Sequence, residues 1–136
     1  MASELKVDKF TGVTTAGSIL VTGEGNSTTT NLQQGLAKAW ANIDGDAGTA
    51  ATRDSFNVAS ITDAGSGQYD CFYTNNMSND DYSFVCSQKM AANPFPASDA
   101  YAQNQETTKF FINSALPGTN NYDTDVANAA IFGDLA

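Results

Sequence analysis

Hydrophobic and polar positions alternate in short, well-separated runs along most of this chain. Tyr69, Cys71 and Tyr73 fall on one side of an extended segment, with Asp70, Phe72 and Thr74 on the other, the period of two expected of a strand. Tyr82, Phe84 and Cys86 line up in the same way. Phe110 and Ile112 alternate with Phe111, which predicts a strand covered on both sides. This patterning predicts strands over Ala39–Ile43, Ser55–Thr62, Gln68–Asn75, Tyr82–Met90, Thr108–Ala115 and Val126–Phe132. Phe56 and Val58 share one parity and Ile61 has the other, so a β-bulge is expected near Ala59-Ser60. Ala64-Gly65-Ser66-Gly67 closes a hairpin between the second and third strands.

One stretch carries a helical period instead. Leu32, Leu36 and Ala39 or Trp40 fall on one helix face, and Thr29, Thr30 or Asn31 can act as N-cap. Gly35 costs about 1 kcal/mol relative to Ala, so the helix, placed at 31–38, is short and leans on a partner surface. With its two leucines it could sit on a three-fold axis between copies. Before it, residues 1–30 have a different texture. Leu5, Val7, Phe10, Val13, Ile19 and Val21 are scattered among Thr, Gly and Ser, too sparse to build a core. The reading is an extended N-terminal docking arm over 1–30, followed by a β-domain over 31–136. Extended, the arm reaches roughly 100 Å at strand rise. Its apolar residues Leu5, Val7, Phe10, Ile19 and Val21, with Leu32 and Leu36, are the candidate partner-binding set.

The fold expected is mainly β: an antiparallel sandwich of about six or seven strands with an arm and one short helix. The segments 91–106 and 116–124 are rich in turn residues and are expected as surface loops, joined by 44–52. Tyr101 and Tyr122 lie in two of them, placed to face a glycan or another protein.

Composition supports β-structure, because Gly, Ser, Thr, Asn and Asp abound and long runs of helix formers are missing. A length of 136 residues fits one domain with an appendage. Six basic residues against fifteen acidic ones give a formal charge of −9, a surface that repels phosphate backbones and anionic lipid heads. Nucleic acid and membrane are therefore not expected as partners. No run approaches the ~20 apolar residues of a membrane span, and the N-terminus lacks the hydrophobic core of a signal peptide, so assembly in a cytoplasm is expected.

Chemistry is sparse. The chain has no histidine, which removes the usual general base and the commonest metal ligand. Lys38, Lys89 and Lys109, the lysines of the β-domain, have no serine motif around them. Asp44/Asp46, Asp80/Asp81 and Asp123/Asp125 are the pairs that could serve a glycosidase, but each adjoins Gly or Asn in a turn, where aspartate bonds its own backbone. Asp44 and Asp46 could hold calcium, without the spacing of an EF-hand loop. Trp40 could join a sugar-stacking platform, though its neighbours place it in the core. Cys71 and Cys86 cannot form a zinc shell by themselves. If Asn76–Asp81 joins adjacent antiparallel strands, position 71 falls opposite position 86 and a disulfide is possible. A cytoplasmic setting favours two small buried hydrophobes instead. No catalytic residue, metal or cofactor is assigned, and the chain is expected not to be an enzyme.

Several phrases resemble a known design. They are Ser3-Glu4-Leu5-Lys6-Val7-Asp8, Thr15-Ala16-Gly17-Ser18-Ile19, Asn31-Leu32-Gln33-Gln34-Gly35-Leu36-Ala37-Lys38-Ala39-Trp40, Arg53-Asp54-Ser55-Phe56-Asn57-Val58 and Ile131-Phe132-Gly133-Asp134. Together they resemble virion structural proteins of marine tailed bacteriophages, in which a docking arm precedes a compact β-domain. The likeness covers residues 3–75 and the terminal strand, and fades between Ser87 and Thr107. It implies a capsid decoration or cement protein exposed on the particle surface, bound to the major capsid protein or another virion protein and to itself as a homotrimer. The alternative it implies is the receptor-binding domain of a short tail or head fibre that recognises host surface polysaccharide.

Overall fold

The computed structural model describes residues 4–13, 18–23, 25, 27–46, 48–89, 99–102, 105–115 and 121–136, with backbone alone at 99–102 and 115. The chain divides into two compact units, residues 1–36 and 37–136, so the boundary falls six residues later than the sequence suggested and the helix belongs to the first unit.

In the first unit, residues 4–13 have no regular secondary structure. Strands β1 (Leu20–Thr22) and β2 (Thr29–Asn31) form an antiparallel hairpin, and α1 (Leu32–Gly35) follows directly. Asn31 is the N-cap: its side-chain Oδ1 accepts from the backbone N–H groups of Gln33 at 2.9 Å and Gln34 at 3.2 Å. The helix ends where Leu36 turns extended, with its N–H on Gln33 O. One turn is what remains of the expected 31–38 helix. Gly35, about 1 kcal/mol less favourable than Ala in a helix, stands at its last position, and the chain turns extended at Leu36.

The second unit is a β-sandwich of two four-stranded antiparallel sheets. Its strands are β3 (Ala39–Asp44), β4 (Ala51–Phe56), β5 (Val58–Gly65), β6 (Gln68–Tyr73), β7 (Ser83–Lys89), β8 (Asp99–Ala102), β9 (Lys109–Ala115) and β10 (Val126–Phe132). One sheet runs β4-β3-β10-β7 and the other β5-β6-β9-β8. The alternation read from the sequence sets their inner faces. Ala39, Ala41, Ile43, Ala127, Ala129 and Ile131 from the first sheet meet Tyr69, Cys71, Tyr73, Phe110 and Ile112 from the second, all buried. Tyr73 packs on Phe110 at 5.4 Å between ring centroids, and Phe84 on Phe110 at 5.9 Å. The glycines of the β5–β6 turn fall where the sequence placed them, Gly65 at φ 135° and Gly67 at φ 67°.

Four expectations change. The strand read over Ser55–Thr62 is two strands, because Asn57 adopts φ 57° and carries the chain from one sheet to the other. Phe56 and Val58 consequently face different ways, while the expected bulge is present at Ala59, between the Val58↔Tyr73 and Ser60↔Phe72 pairs. The supposed loop 91–106 contains β8, which pairs with β9, so Tyr101 sits in an edge strand opposite Asn113. Segment 74–82 does not join neighbours but crosses between sheets. Cys71 lies opposite Phe110 and Ile61, and Cys86 lies opposite Ala129, so 71 and 86 are not cross-strand partners, and both are free thiols. Most of 91–106, residues 116–120 and the breaks at 14–17, 24 and 26 fall outside the described residues.

Candidate interaction surfaces

The seven candidate partner-binding residues all lie in the first unit, and none is buried. Leu5 and Phe10 are 73% and 61% exposed, and Val7, Val21 and Leu36 are exposed as well. Ile19 and Leu32 are half-buried, joined by a 2.9 Å bond from Leu32 N–H to Ile19 O. Val13 and Leu20 add to the exposed set. Three cross-strand pairs and one helical turn cannot bury side chains of this size, so the unit presents apolar groups rather than packing them.

At one end of the sandwich, the turns at 45, 67 and 122–124 are tied together. Gly45 N–H reaches Thr124 O at 2.9 Å, Ser114 N–H reaches Gly67 O at 2.7 Å, and Tyr122 N–H reaches Ser114 O at 3.1 Å. Tyr69, wholly buried, accepts at its Oη from Thr124 N–H at 3.2 Å. Most members of the acid pairs weighed for catalysis are spent on this scaffolding or stand in solvent, and Asp125 is half-buried. Asp123 Oδ1 takes Gly67 N–H at 2.7 Å, Asp44 pairs with Arg53 at 2.9 Å, and Asp80 and Asp81 are exposed. Among the described residues no group of three or more Cys, Asp or Glu is placed to hold a metal ion, so Asp44 and Asp46 stand without a third ligand of that kind. Tyr122 is 40% exposed beside this end, whereas the Tyr101 side chain lies outside the described residues.

The outer face of the β4-β3-β10-β7 sheet carries a feature that the sequence reading missed. Phe56 pairs with Trp40, Trp40 with Ala130 and Ala130 with Val85, so one apolar row crosses all four strands. Phe56 and Val85 at its ends are 51% and 58% exposed, and Trp40 and Ala130 are half-buried. Trp40 thus lies on the outside of the sheet, not in the core. The signal was present in Ala39-Trp40-Ala41-Asn42-Ile43: parity opposite to that of buried Ile43 sends Trp40 outward, although its apolar neighbours suggested the core. The next row is polar, with Asn42 Nδ2 donating to Asn128 Oδ1 at 2.8 Å and Asn128 Nδ2 directed at Ser87 Oγ. On the opposite sheet, Lys109 pairs with Asp70 at 3.1 Å and lies 5.7 Å from the Phe72 ring centre.

Among the described residues, the ionisable groups whose environments shift them all move away from neutrality. Burial pushes up the Cys71 and Cys86 thiols and the Tyr69, Tyr73 and Tyr82 hydroxyls. The hydrogen bond to Asp70 raises Lys109. A nucleophile or general base near neutral pH needs shifts of the opposite sign. Among the described residues no helix is long and apolar enough to cross a membrane. Comparison with protein-family models, with curated proteins and with solved structures finds no match to this chain.

Proposed function

We propose that this chain is a non-enzymatic structural protein that attaches to a larger assembly through its first 36 residues and presents the sandwich outward. The setting proposed is the surface of a tailed-phage particle, with the chain acting as a decoration protein on the shell and the resemblance of residues 3–75 supplying the biology. The observation that carries attachment is an imbalance between the units. Every buried apolar residue described lies in 37–136, while seven large exposed ones (Leu5, Val7, Phe10, Val13, Leu20, Val21 and Leu36) lie in 1–36. Burying each on a partner stabilises by about 1.5–3 kcal/mol before the costs of association. Repeated copies on a shell multiply such contacts through effective concentration.

The test uses the full chain and residues 37–136, which hold a complete core of their own. Purified particles stripped of the protein are incubated with each and sedimented. The full chain pellets with the particles, and the shorter one stays folded in the supernatant. Equal pelleting by both would end the attachment reading. A copy number in particles that matches the tail instead of the shell, with polysaccharide bound by 37–136, would transfer the protein to a receptor-binding role.

A further inference from the structure

We infer that the outer face of the β4-β3-β10-β7 sheet pairs with the same face of a second copy about a two-fold axis. This inference is independent of how the first unit attaches. Three observations lead to it, and the first is the row Phe56–Trp40–Ala130–Val85 itself, whose exposed ends leave apolar area in water across the width of a sheet.

Charge supplies the second. Residues 37–136 carry four basic and twelve acidic side chains, a balance of −8. Among the outward positions of these four strands, Asp44 is paired with Arg53 at 2.9 Å, and Asp54 and Lys89, on opposite edge strands, bring the count to two acids and two bases. The face is neutral on a strongly acidic domain. Two copies can meet here without like-charge contact, whereas an average pair of their surfaces would repel.

The order of residue sizes is the third. A two-fold axis lying between the faces, parallel to the strands and midway between Trp40 and Ala130, reverses the row upon itself. Trp40 then meets Ala130 of the other copy, and Phe56 meets Val85. Large opposes small at each step, which is the complementarity an isologous interface requires. The same axis set at right angles would place Trp40 on Trp40 and Phe56 on Phe56. Four strands at ~4.8 Å spacing and seven residues at ~3.3 Å give a footprint of roughly 400 Å² per copy. Both copies together bury about 800 Å², below the ~1,200 Å² of stable specific interfaces and in the range of weak, transient ones, so the pairing is reversible and concentration-dependent.

The test is sedimentation equilibrium of the full chain from roughly 1 µM to 1 mM, the range over which such an interface would dissociate. Trp40 is the single tryptophan, so its fluorescence reports the contact directly. The mass doubles with rising concentration while the emission moves to the blue. Val85→Glu and Phe56→Lys, both exposed positions, each weaken association about tenfold or more. Within one copy the two sites are three strand spacings apart, roughly 14 Å, so they cannot pair there. Across the proposed axis they are opposite, and the double variant Val85→Glu/Phe56→Lys recovers dimer. Thermal unfolding of each variant at low concentration confirms that the sandwich is intact. A monomer throughout the range, a trimer, a dimer indifferent to both single variants, or failure of the double variant to recover would each overturn the pairing.

Discussion

Asn57 and Asn75 hold each other through both side chain and backbone: Asn57 Oδ1 accepts from Asn75 N at 2.7 Å, and Asn57 Nδ2 donates to Asn75 O at 2.9 Å. The same amide reaches Lys38 O at 3.0 Å, and Thr74 N–H closes on Asn57 O at 3.2 Å. One left-handed residue therefore fastens the corner where the chain leaves β4 for β5 to the point where β6 ends. Asn57→Ala removes these bonds and places an alanine at φ 57°. The corner is partly exposed, so water replaces some of the lost partners and the expected loss is about 2 kcal/mol. Asn57→Gly relieves the backbone and should cost less. Urea unfolding of the three proteins gives the order, and an Ala variant as stable as the parent would remove Asn57 from this role.

The same corner marks where the sequence stopped being legible. Alternation in Tyr69–Tyr73 and in Tyr82–Cys86 revealed inner faces, because a sheet buried on one side writes its period into the residues. The bulge at Ala59 was also readable, since Ile61 breaks parity with Val58. Nothing in Ser55-Phe56-Asn57-Val58 distinguishes a continuous strand from one that changes sheet, because that depends on a single dihedral at Asn57. β8 was hidden for a related reason. Asp99-Ala100-Tyr101-Ala102 is a short edge strand after a Pro-rich stretch, and edge strands need little hydrophobic pattern. Of the candidate surfaces, the apolar residues of the first unit were visible as isolated side chains. The row through Trp40 was not, because its four members come from four strands and only the register assembles them.

Tyr69 ties the loop end of the sandwich to its core. Removing its hydroxyl leaves the buried Thr124 N–H without an acceptor, so Tyr69→Phe should cost about 1–3 kcal/mol although the ring remains. Gly45→Ala should cost more. A Cβ there would collide with the Tyr69 hydroxyl and come within 2.8 Å of Thr124 O. Combining Gly45→Ala with Tyr69→Phe should cost less than the sum, because loss of the hydroxyl frees part of the space that the added methyl group needs. Strict additivity would show that the clash is taken up elsewhere.

Stability should fall on the alkaline side. Thiols and phenols are neutral when protonated, and burial favours the neutral form, so the folded chain retains these protons to higher pH than the unfolded chain. Their contribution is full below the ordinary values of 9.0 for cysteine and 10.0 for tyrosine, and declines above them. Lys109 has the same sign for another reason: its bond to Asp70 holds the charged form, and that stabilisation is lost as the pH rises through its elevated value. Each buried group still protonated in the fold removes about 1.4 kcal/mol per pH unit. Urea midpoints should be flat through neutrality and drop from about pH 9 upward. Midpoints still level at pH 11 would contradict the burial of these tyrosines.

The thiols give a sharper reading of the two sheets. Cys71 points into the core from β6 and is wholly buried, and Cys86 faces inward from β7 but is only half-buried. Both are free thiols in the structure, so the intact protein should show no mass change on reduction. A thiol reagent should modify Cys86 slowly in the folded protein and Cys71 only on unfolding, since access and thiolate formation are both suppressed at the deeper site. Cys71→Ala should cost about 1–2 kcal/mol through the space it leaves, and Cys86→Ala less. Cys71→Ser should be worse than Cys71→Ala, because a buried hydroxyl must find a partner among apolar neighbours. Equal labelling of both positions in the folded state would mean that the second sheet opens at β6, and the core described above would have to be redrawn around it.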